Sequence, residues 1–365
     1  MKISVRFYRV IAKVLLVIVI LAAAGVLVFV GLQISGRNKL NSGNKGMVPE
    51  LNLSELADDS SLMSSVSVDS SADVTPKQDN WQEGDLRYQG VHYRYNEDIL
   101  TFLFLGIDKM SEVKPVKNGI DGGQSDAIFL LVLNPHSKEI SVIAIPRDTM
   151  TDIDVYDKEG YFMYTSLEQL TLQHGYGDGA TVSCERSEKA VQKLFYHLPI
   201  HGYCSINMGA IPLINDAVGG VEVDVLEDVI RTDMKEGDRI LLKGMDAYYY
   251  LHNRDIKSPE SAVRRLERQK QYLEAYAAAV MEAMKSDLTL PVTLYNDLSK
   301  YMVTDISLDE ITYLAVQAAG YHFDSSNLHS LKGKTVMGER YEEFYVDEKA
   351  LYELILEVFY EEVED

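Results

Sequence analysis

Three groups of charged and polar residues interrupt the most apolar parts of this 365-residue chain. The first is Asp108, directly after FLFLGI, with Gln124, Ser125 and Asp126 just ahead of the next apolar run. The second is the pair Arg147 and Asp148, which follows SVIAIP. The third lies in LHNRDIKSPESAVRRLERQKQ and holds His252, Arg254, Arg264, Arg265, Arg268 and Gln269. Planar guanidinium groups match phosphate oxygens bidentately. Two carboxylates such as Asp108 and Asp126 suit a hard divalent cation, Mg2+ among them, which completes its shell with water and phosphate. Each cluster taken alone also has a plain structural reading: Arg147 with Asp148 as a salt bridge, the later arginines as a solubilising surface, His252 as a semi-buried side chain. Their conjunction in one acidic chain points instead to an anion site.

The elements that must position these residues are legible from periodicity. FLFLGI at 102–107, AIFLLVL at 127–133 and SVIAI at 141–145 are apolar on both faces, so they predict strands of a sheet covered on both sides. The second and third are joined by NPHSKEI, whose Asn134-Pro135 forms turns, and so predict an antiparallel hairpin. Ligands in α/β proteins gather at the rim of such a sheet, where Asp108, Asp126 and Arg147 would stand. Covering helices are predicted over SEKAVQKLFYHL, over MGAIPLINDAVGG with its terminal glycine pair, and over LDEITYLAVQAAG. A long helix is predicted from about Arg264 to Lys285. On it Arg265, Arg268 and Gln269 stand at i, i+3 and i+4, sharing a face near the N-terminal end where the macrodipole favours an anion, whereas Arg264 points elsewhere. VEVDV after the glycines reads as an edge strand, WQEGDLRYQGVHYRY as a short hairpin, and the acidic C-terminal stretch as a docking helix with a solvated face.

A formal net charge of −21 argues against nucleic acid as a partner, so any anionic ligand depends on local arginines. Residues 14–34 form an uncharged run of 21 residues, about the ~20 that span a bilayer. Lys2, Arg6, Arg9 and Lys13 precede it, which places residues 1–13 in the cytoplasm and the rest outside. Residues 35–80 are rich in Ser and Asp and read as a disordered linker. An accessory β segment over 81–96, a main domain over 97–330 and an acidic segment with a helix over 331–365 complete the predicted organisation. Cys184 and Cys204 lack metal-site spacing and are open to either reading, a disulfide or two buried thiols.

The order FLFLGID, QSDAIFLLVLNPHSKEISVIAIPRDT, INDAVGGVEVDV, AYYYLHNRD and RLERQKQYL resembles the LytR-CpsA-Psr family of membrane-anchored cell-wall proteins over roughly residues 97–325. The resemblance implies a mixed, partly antiparallel central sheet between helices, after one transmembrane helix. It also implies a cell-membrane protein that moves an anionic glycopolymer, of teichoic acid or capsular type, from an undecaprenyl-pyrophosphate carrier to peptidoglycan, with Mg2+. Carried over residue by residue, it implies Asp126, Arg147, Arg254 and Arg265 as catalytic residues, and Asp108 with Asp126 as metal ligands. Gln124, Asp148, His252, Arg268 and Gln269 would contact substrate. Gln124 and His252 stand where the family usually has arginine, and the aspartate usual before RLERQ is absent, with Glu260 or Ser261 nearest. Two cationic donors are thereby lost, each contributing roughly 1.5–3 kcal/mol when paired with an anion. A non-catalytic, membrane-anchored binder of lipid-linked polymer or cell-envelope regulatory protein, and a polyprenyl pyrophosphatase, are the alternative readings of the same residues. Asp126 or Asp148 would take the proton of the attacking hydroxyl, and an apolar groove between sheet and helices would hold the polyprenyl tail.

Overall fold

A computed structural model of the chain describes residues 31–40, 48–51, 81, 82, 84–255, 258, 261–287, 289–318, 320–323 and 325–363. A helix over 31–40 (α1) comes first. The hairpin of β1 (Leu86–Tyr88) and β2 (Val91–Tyr95) then turns through Gln89 and Gly90 at φ 49° and 86°, the left-handed pair that a two-residue hairpin turn requires. Next come β3 (Leu100–Ile107), β4 (Ser125–Asn134) and β5 (Glu139–Ile145), a second hairpin of β6 (Met150–Tyr156) and β7 (Phe162–Gln169), and helices α2 (Thr171–Gly175) and α3 (Thr181–Leu194). After β8 (Gly202–Asn207) and α4 (Ile211–Ala217), the pair β9 (Val221–Asp224) and β10 (Arg239–Leu242) leads into α5 (Met245–His252) and the long α6 (Ser261–Ser286). The chain closes with α7 (Leu290–Leu298), β11 (Met302–Thr304), α8 (Leu308–Ala318), β12 (Leu328–Ser330), the hairpin β13 (Gly333–Met337) and β14 (Glu342–Val346), α9 (Glu348–Phe359) and β15 (Tyr360–Val363).

The three apolar runs form the centre of a six-stranded sheet ordered β11-β8-β3-β4-β5-β12. β3 with β8 and β5 with β12 are parallel and the other pairs antiparallel, which makes the sheet mixed as expected. Leu103, Leu130 and Ile143 are wholly buried in it. On one face they meet Ala190 and Val191 of α3 and Ile355 and Phe359 of α9. On the other, Phe102 and Leu133 meet Leu40 of α1 and Ile311 and Leu314 of α8. A satellite core of Val221, Val223, Leu242, Tyr250 and Tyr272 joins β9 and β10 to α5 and α6, and these two helices bring His252 and the later arginines to the sheet.

Several boundaries differ from the expectations. The predicted membrane span 14–34 lies outside the described residues except for 31–34, which open α1, and no described helix is long and apolar enough to cross a membrane. The predicted disordered linker 35–80 is partly structured. Residues 35–40 continue α1, where Ser35 and Lys39 both bind Asp309 at the start of α8, and Val48 and Leu51 pack on the main core. Nor is there a structural break at residue 330: β13, β14, α9 and β15 complete the same body, β15 pairing with β2 across residues 92–95. Low-complexity composition hid the first of these, and the second rests on pairing between chain ends that no local pattern reveals. Cys184 and Cys204 are both free, buried thiols pushed up to about 12 by burial, and Cys184 Sγ donates to Ser205 Oγ at 3.3 Å.

One pH dependence is built into the sheet. Nδ1 of His201 accepts the Thr101 amide at 3.1 Å, and burial lowers the imidazole to about 4. The unfolded chain therefore binds a proton at higher pH than the folded one does. Stability from this group is complete above about pH 6.5 and is lost as pH falls towards 4, on the order of 3 kcal/mol in all. Denaturant titrations of native protein and His201→Asn between pH 4 and 7 should show a shallower acid loss in the variant.

Candidate anion-binding active site

The site forms where three central strands end together. β3 stops at Ile107, β4 begins at Ser125 opposite it, and β5 stops at Ile145 opposite Ile128, so Asp108, Gln124, Asp126 and Arg147 share one rim. A bulge between Gly106 and Ile107 re-aims the end of β3. A Cβ on Gly106 would come within 3.1 Å of the Ala127 Cβ, tighter than most side chains tolerate. Beyond β5 the chain makes a tight turn, the Thr149 amide donating to the Pro146 carbonyl at 3.0 Å, with Arg147 and Asp148 at its two corners. Both corner carbonyls are bonded: Arg147 O accepts from Thr171 N at 3.0 Å and Asp148 O from Phe344 N at 2.9 Å. The strand ends in a charged pair because this turn offers Arg147 at a rim fixed on two sides.

Asp126 is the hub of the cluster. It is buried, with 6% of its surface exposed, and its two carboxylate oxygens take different arginines, Oδ1 from Arg147 Nη1 and Oδ2 from Arg265 Nη1 at 3.3 Å. Arg147 Nη2 donates to Gln124 Oε1 at 2.8 Å and its Nε lies 3.3 Å from Asp148 Oδ1. Gln124, at a position where arginine was the expected donor to substrate, thus orients Arg147. Asp148 is held in turn by Gln169 Nε2 at 3.0 Å. Burial, opposed by Asp148 and reinforced by Arg254, lowers the Arg147 guanidinium below its usual range. Burial and then the charges of Arg254 and Arg147 push Arg265 down to about 9. This crowding of cations makes a bound anion favourable.

His252 stacks on Tyr248 with ring centroids 4.9 Å apart, and its Nε2 is 4.0 Å from Asp108 Oδ1. One ligand atom each from Asp108, Asp126 and His252 lies within 4.8 Å of the others. The buried His252 Nδ1 lacks a hydrogen-bond partner among the described residues. Two carboxylates with room for water fit Mg2+, and the imidazole adds a nitrogen better suited to Mn2+ or Zn2+.

Two of the sequence-predicted contacts also bond to the neighbouring backbone, and of these Gln269 lines the apolar slot beside the cluster whereas Arg268 lines neither that slot nor the adjoining cleft. Arg268 is 1% exposed and turned away from the rim: it donates to the carbonyls of Tyr250 and Asn253 and pairs with Glu227 at 3.1 Å. Gln269 donates to the Leu251 carbonyl at 3.3 Å. Both therefore brace the end of α5 and the segment carrying Arg254. Helix periodicity placed them beside Arg265 correctly, yet it carries no information about the neighbouring carbonyls. Arg264, as expected, points elsewhere, to Glu227 at 2.8 Å.

Two spaces meet at the cluster. An open cleft of about 690 Å³ is lined by Asp126, Arg147, His252, Arg254, Asp255 and Arg265, and also by Arg231, which sequence reasoning missed because it stands alone in a loop. A narrower slot of about 310 Å³ runs from the same Asp126, Arg147 and Arg265 between Ile128, Ile145, Leu266, Leu331 and Phe344. An apolar slot opening onto a cationic cleft accommodates an amphiphile with an anionic head.

Comparison with known proteins gives the same fold and the same relatives. The chain is similar to the polyisoprenyl-teichoic acid--peptidoglycan teichoic acid transferase TagU of Enterococcus faecalis, 26% identical over 223 residues, which are 60% of this chain and 66% of that protein. The protein of the same name from Oceanobacillus iheyensis is 27% identical over 239 residues, 64% and 68% of the two chains. The chain thus spans about two thirds of the length of these curated relatives. Among solved structures, B. subtilis TagV superimposes with a TM-score of 0.54 at 22% identity, over 71% of this chain and 95% of that one. TagT bound to LIIa-WTA does so with 0.53 at 20%, over 72% and 90%. Residues 62–357 match the model of the LytR_cpsA_psr family, and the chain belongs to that family.

Proposed function

We propose that this domain transfers an anionic glycopolymer from a polyprenyl-pyrophosphate carrier to peptidoglycan, outside a membrane in which residues 14–34 anchor it. The observation that carries this reading is the meeting of Arg147, Arg265 and Asp126 at the junction of an apolar slot and a cationic cleft. The polyprenyl chain lies in the slot, the pyrophosphate faces the arginines, and the glycan leaves through the cleft. An acceptor hydroxyl attacks the glycan-side phosphorus, a new P–O bond forms as the pyrophosphate bridge breaks, and polyprenyl monophosphate departs. Arg147 and Arg265, which line both slot and cleft, stabilise the charge that gathers on the leaving phosphate, and Arg254, which lines the cleft alone, faces the glycan-side phosphate. Each Asp126 oxygen accepts from one guanidinium group, so Asp126 orients both arginines and keeps a second lone pair on each oxygen for a cation. Asp148 Oδ2 has no hydrogen-bond partner among the described residues, which makes Asp148 the better acceptor for the hydroxyl proton. Asp108 and Asp126 would hold Mg2+, which when bound neutralises pyrophosphate charge.

The test combines purified protein, a lipid-pyrophosphate-linked glycan and peptidoglycan fragments, with product followed by mass spectrometry. Conjugate is expected from the native protein. Binding without conjugate would leave the non-catalytic reading, and release of glycan phosphate without acceptor the pyrophosphatase. Chelation with EDTA should abolish most of the product and added Mg2+ restore it. Asp108→Asn should raise the Mg2+ concentration for half-maximal rate about tenfold or more, as loss of a charged ligand from a hard-cation site does. An unchanged requirement removes Asp108 from the metal site.

A further inference from the structure

Arg231 belongs to the same cleft wall as Arg254, yet no part of the family resemblance includes it. It lies on the loop between β9 and β10, far in sequence from every motif that carries chemistry. Its side chain is exposed and forms no hydrogen bond or ion pair with any described residue. Arg254 has no such partner among the described residues either. In a chain with 56 acidic residues against 35 lysines and arginines, four arginines against the two carboxylates Asp126 and Asp255 around one cleft are an unusual concentration of positive charge.

The loop is also held in place. Val229 and Met234 are buried, Val229 N donates to Met234 O at 3.1 Å, and Thr232 Oγ1 closes on Val229 O at 2.7 Å. Asn253 Nδ2 donates to the Ile230 carbonyl at 3.0 Å, tying the residue before Arg231 to the residue before Arg254. Arg231 itself sits at φ 62°, a conformation that a bulky side chain adopts only when its surroundings impose it. A solubilising arginine needs none of this.

The two spaces at the site give this residue a specific task. Arg147 and Arg265 line both slot and cleft, whereas Arg231 and Arg254 line the cleft alone. A tail in the slot therefore puts its own phosphate against Arg147 and Arg265, and the second phosphate further out. We propose that Arg231 is a further substrate-binding residue, forming with Arg254 an outer anion subsite for the glycan-side phosphate. It would replace charge that Gln124 and His252 do not supply. This rests on the transferase reading above, and the two are separable by experiment.

The probes are farnesyl pyrophosphate and farnesyl monophosphate, titrated into the purified protein by calorimetry. Arg231→Ala should weaken the pyrophosphate about tenfold or more, the loss expected for one charge-assisted contact, and leave the monophosphate unchanged. Arg231→Lys should recover part of the loss, and Arg340→Ala, at an exposed arginine off the cleft, should leave both affinities unchanged. Arg147→Ala should weaken both probes. Equal weakening of both probes by Arg231→Ala, or of neither, overturns the outer subsite while the transferase reading stands. A native protein that binds neither probe overturns both. Melting curves of the variants separate loss of binding from loss of fold.

Discussion

Arg147→Ala is expected to lower glycopolymer transfer by about 10²–10³-fold, the loss typical of removing one preorganised donor from developing charge. The side chain emerges from a turn whose carbonyls are fixed by Thr171 and Phe344, so its guanidinium meets the substrate without first being ordered. Arg147→Lys should recover little, because a point charge cannot hold Asp126 and Gln124 from one planar fork. Stability should hardly change. Burial and Arg254 already act against the Arg147 charge, and Asp126 keeps Arg265 as a partner. A rate equal to that of the native protein, measured with lipid-linked glycan and peptidoglycan fragments, would remove Arg147 from the chemistry.

Arg268→Ala should do the reverse, costing about 3–5 kcal/mol of stability, the range for removing one partner of a buried ion pair. Two carbonyls, those of Tyr250 and Asn253, would lose their donor, and Glu227 would keep only Arg264. For a domain of this size that corresponds to a melting temperature lower by about 10 °C. Activity should fall as well, through displacement of the segment that carries Arg254. A variant that melts like the native protein but no longer binds farnesyl pyrophosphate would return Arg268 to the substrate.

The contrast between these arginines shows where sequence was informative. β3, β4 and β5 were legible because continuous apolar runs bounded by turn formers have few alternatives to a covered sheet. Once they were placed, Asp108, Asp126 and Arg147 followed at a common rim, while the arginine-rich stretch offered Arg254 and Arg265 and the family resemblance implied a catalytic role for them. Arg268 was misjudged because helical spacing fixes a direction from the axis and not what stands in that direction. Gln124 was read as a weakened donor, although its carbonyl oxygen faces Arg147. The hairpin of β13 and β14, which contributes Phe344 to the slot, and the strand β15, which completes a sheet begun by β1 and β2, depend on contacts distant in sequence. Arg231 is isolated from any pattern, and only the folded cleft brings it to the other arginines.

The double pairing of Asp126 bears on turnover. Its carboxylate is a resident competitor for the two guanidinium groups that a phosphate must engage, so each incoming anion gains only the difference between its own contacts and those it displaces. Such an exchange limits how long a product phosphate can stay, and it keeps the arginines aligned between successive substrates. In the proposed transfer the site would thereby trade tenacity for throughput, and Asp126→Asn should hold lipid monophosphate longer than the native protein does.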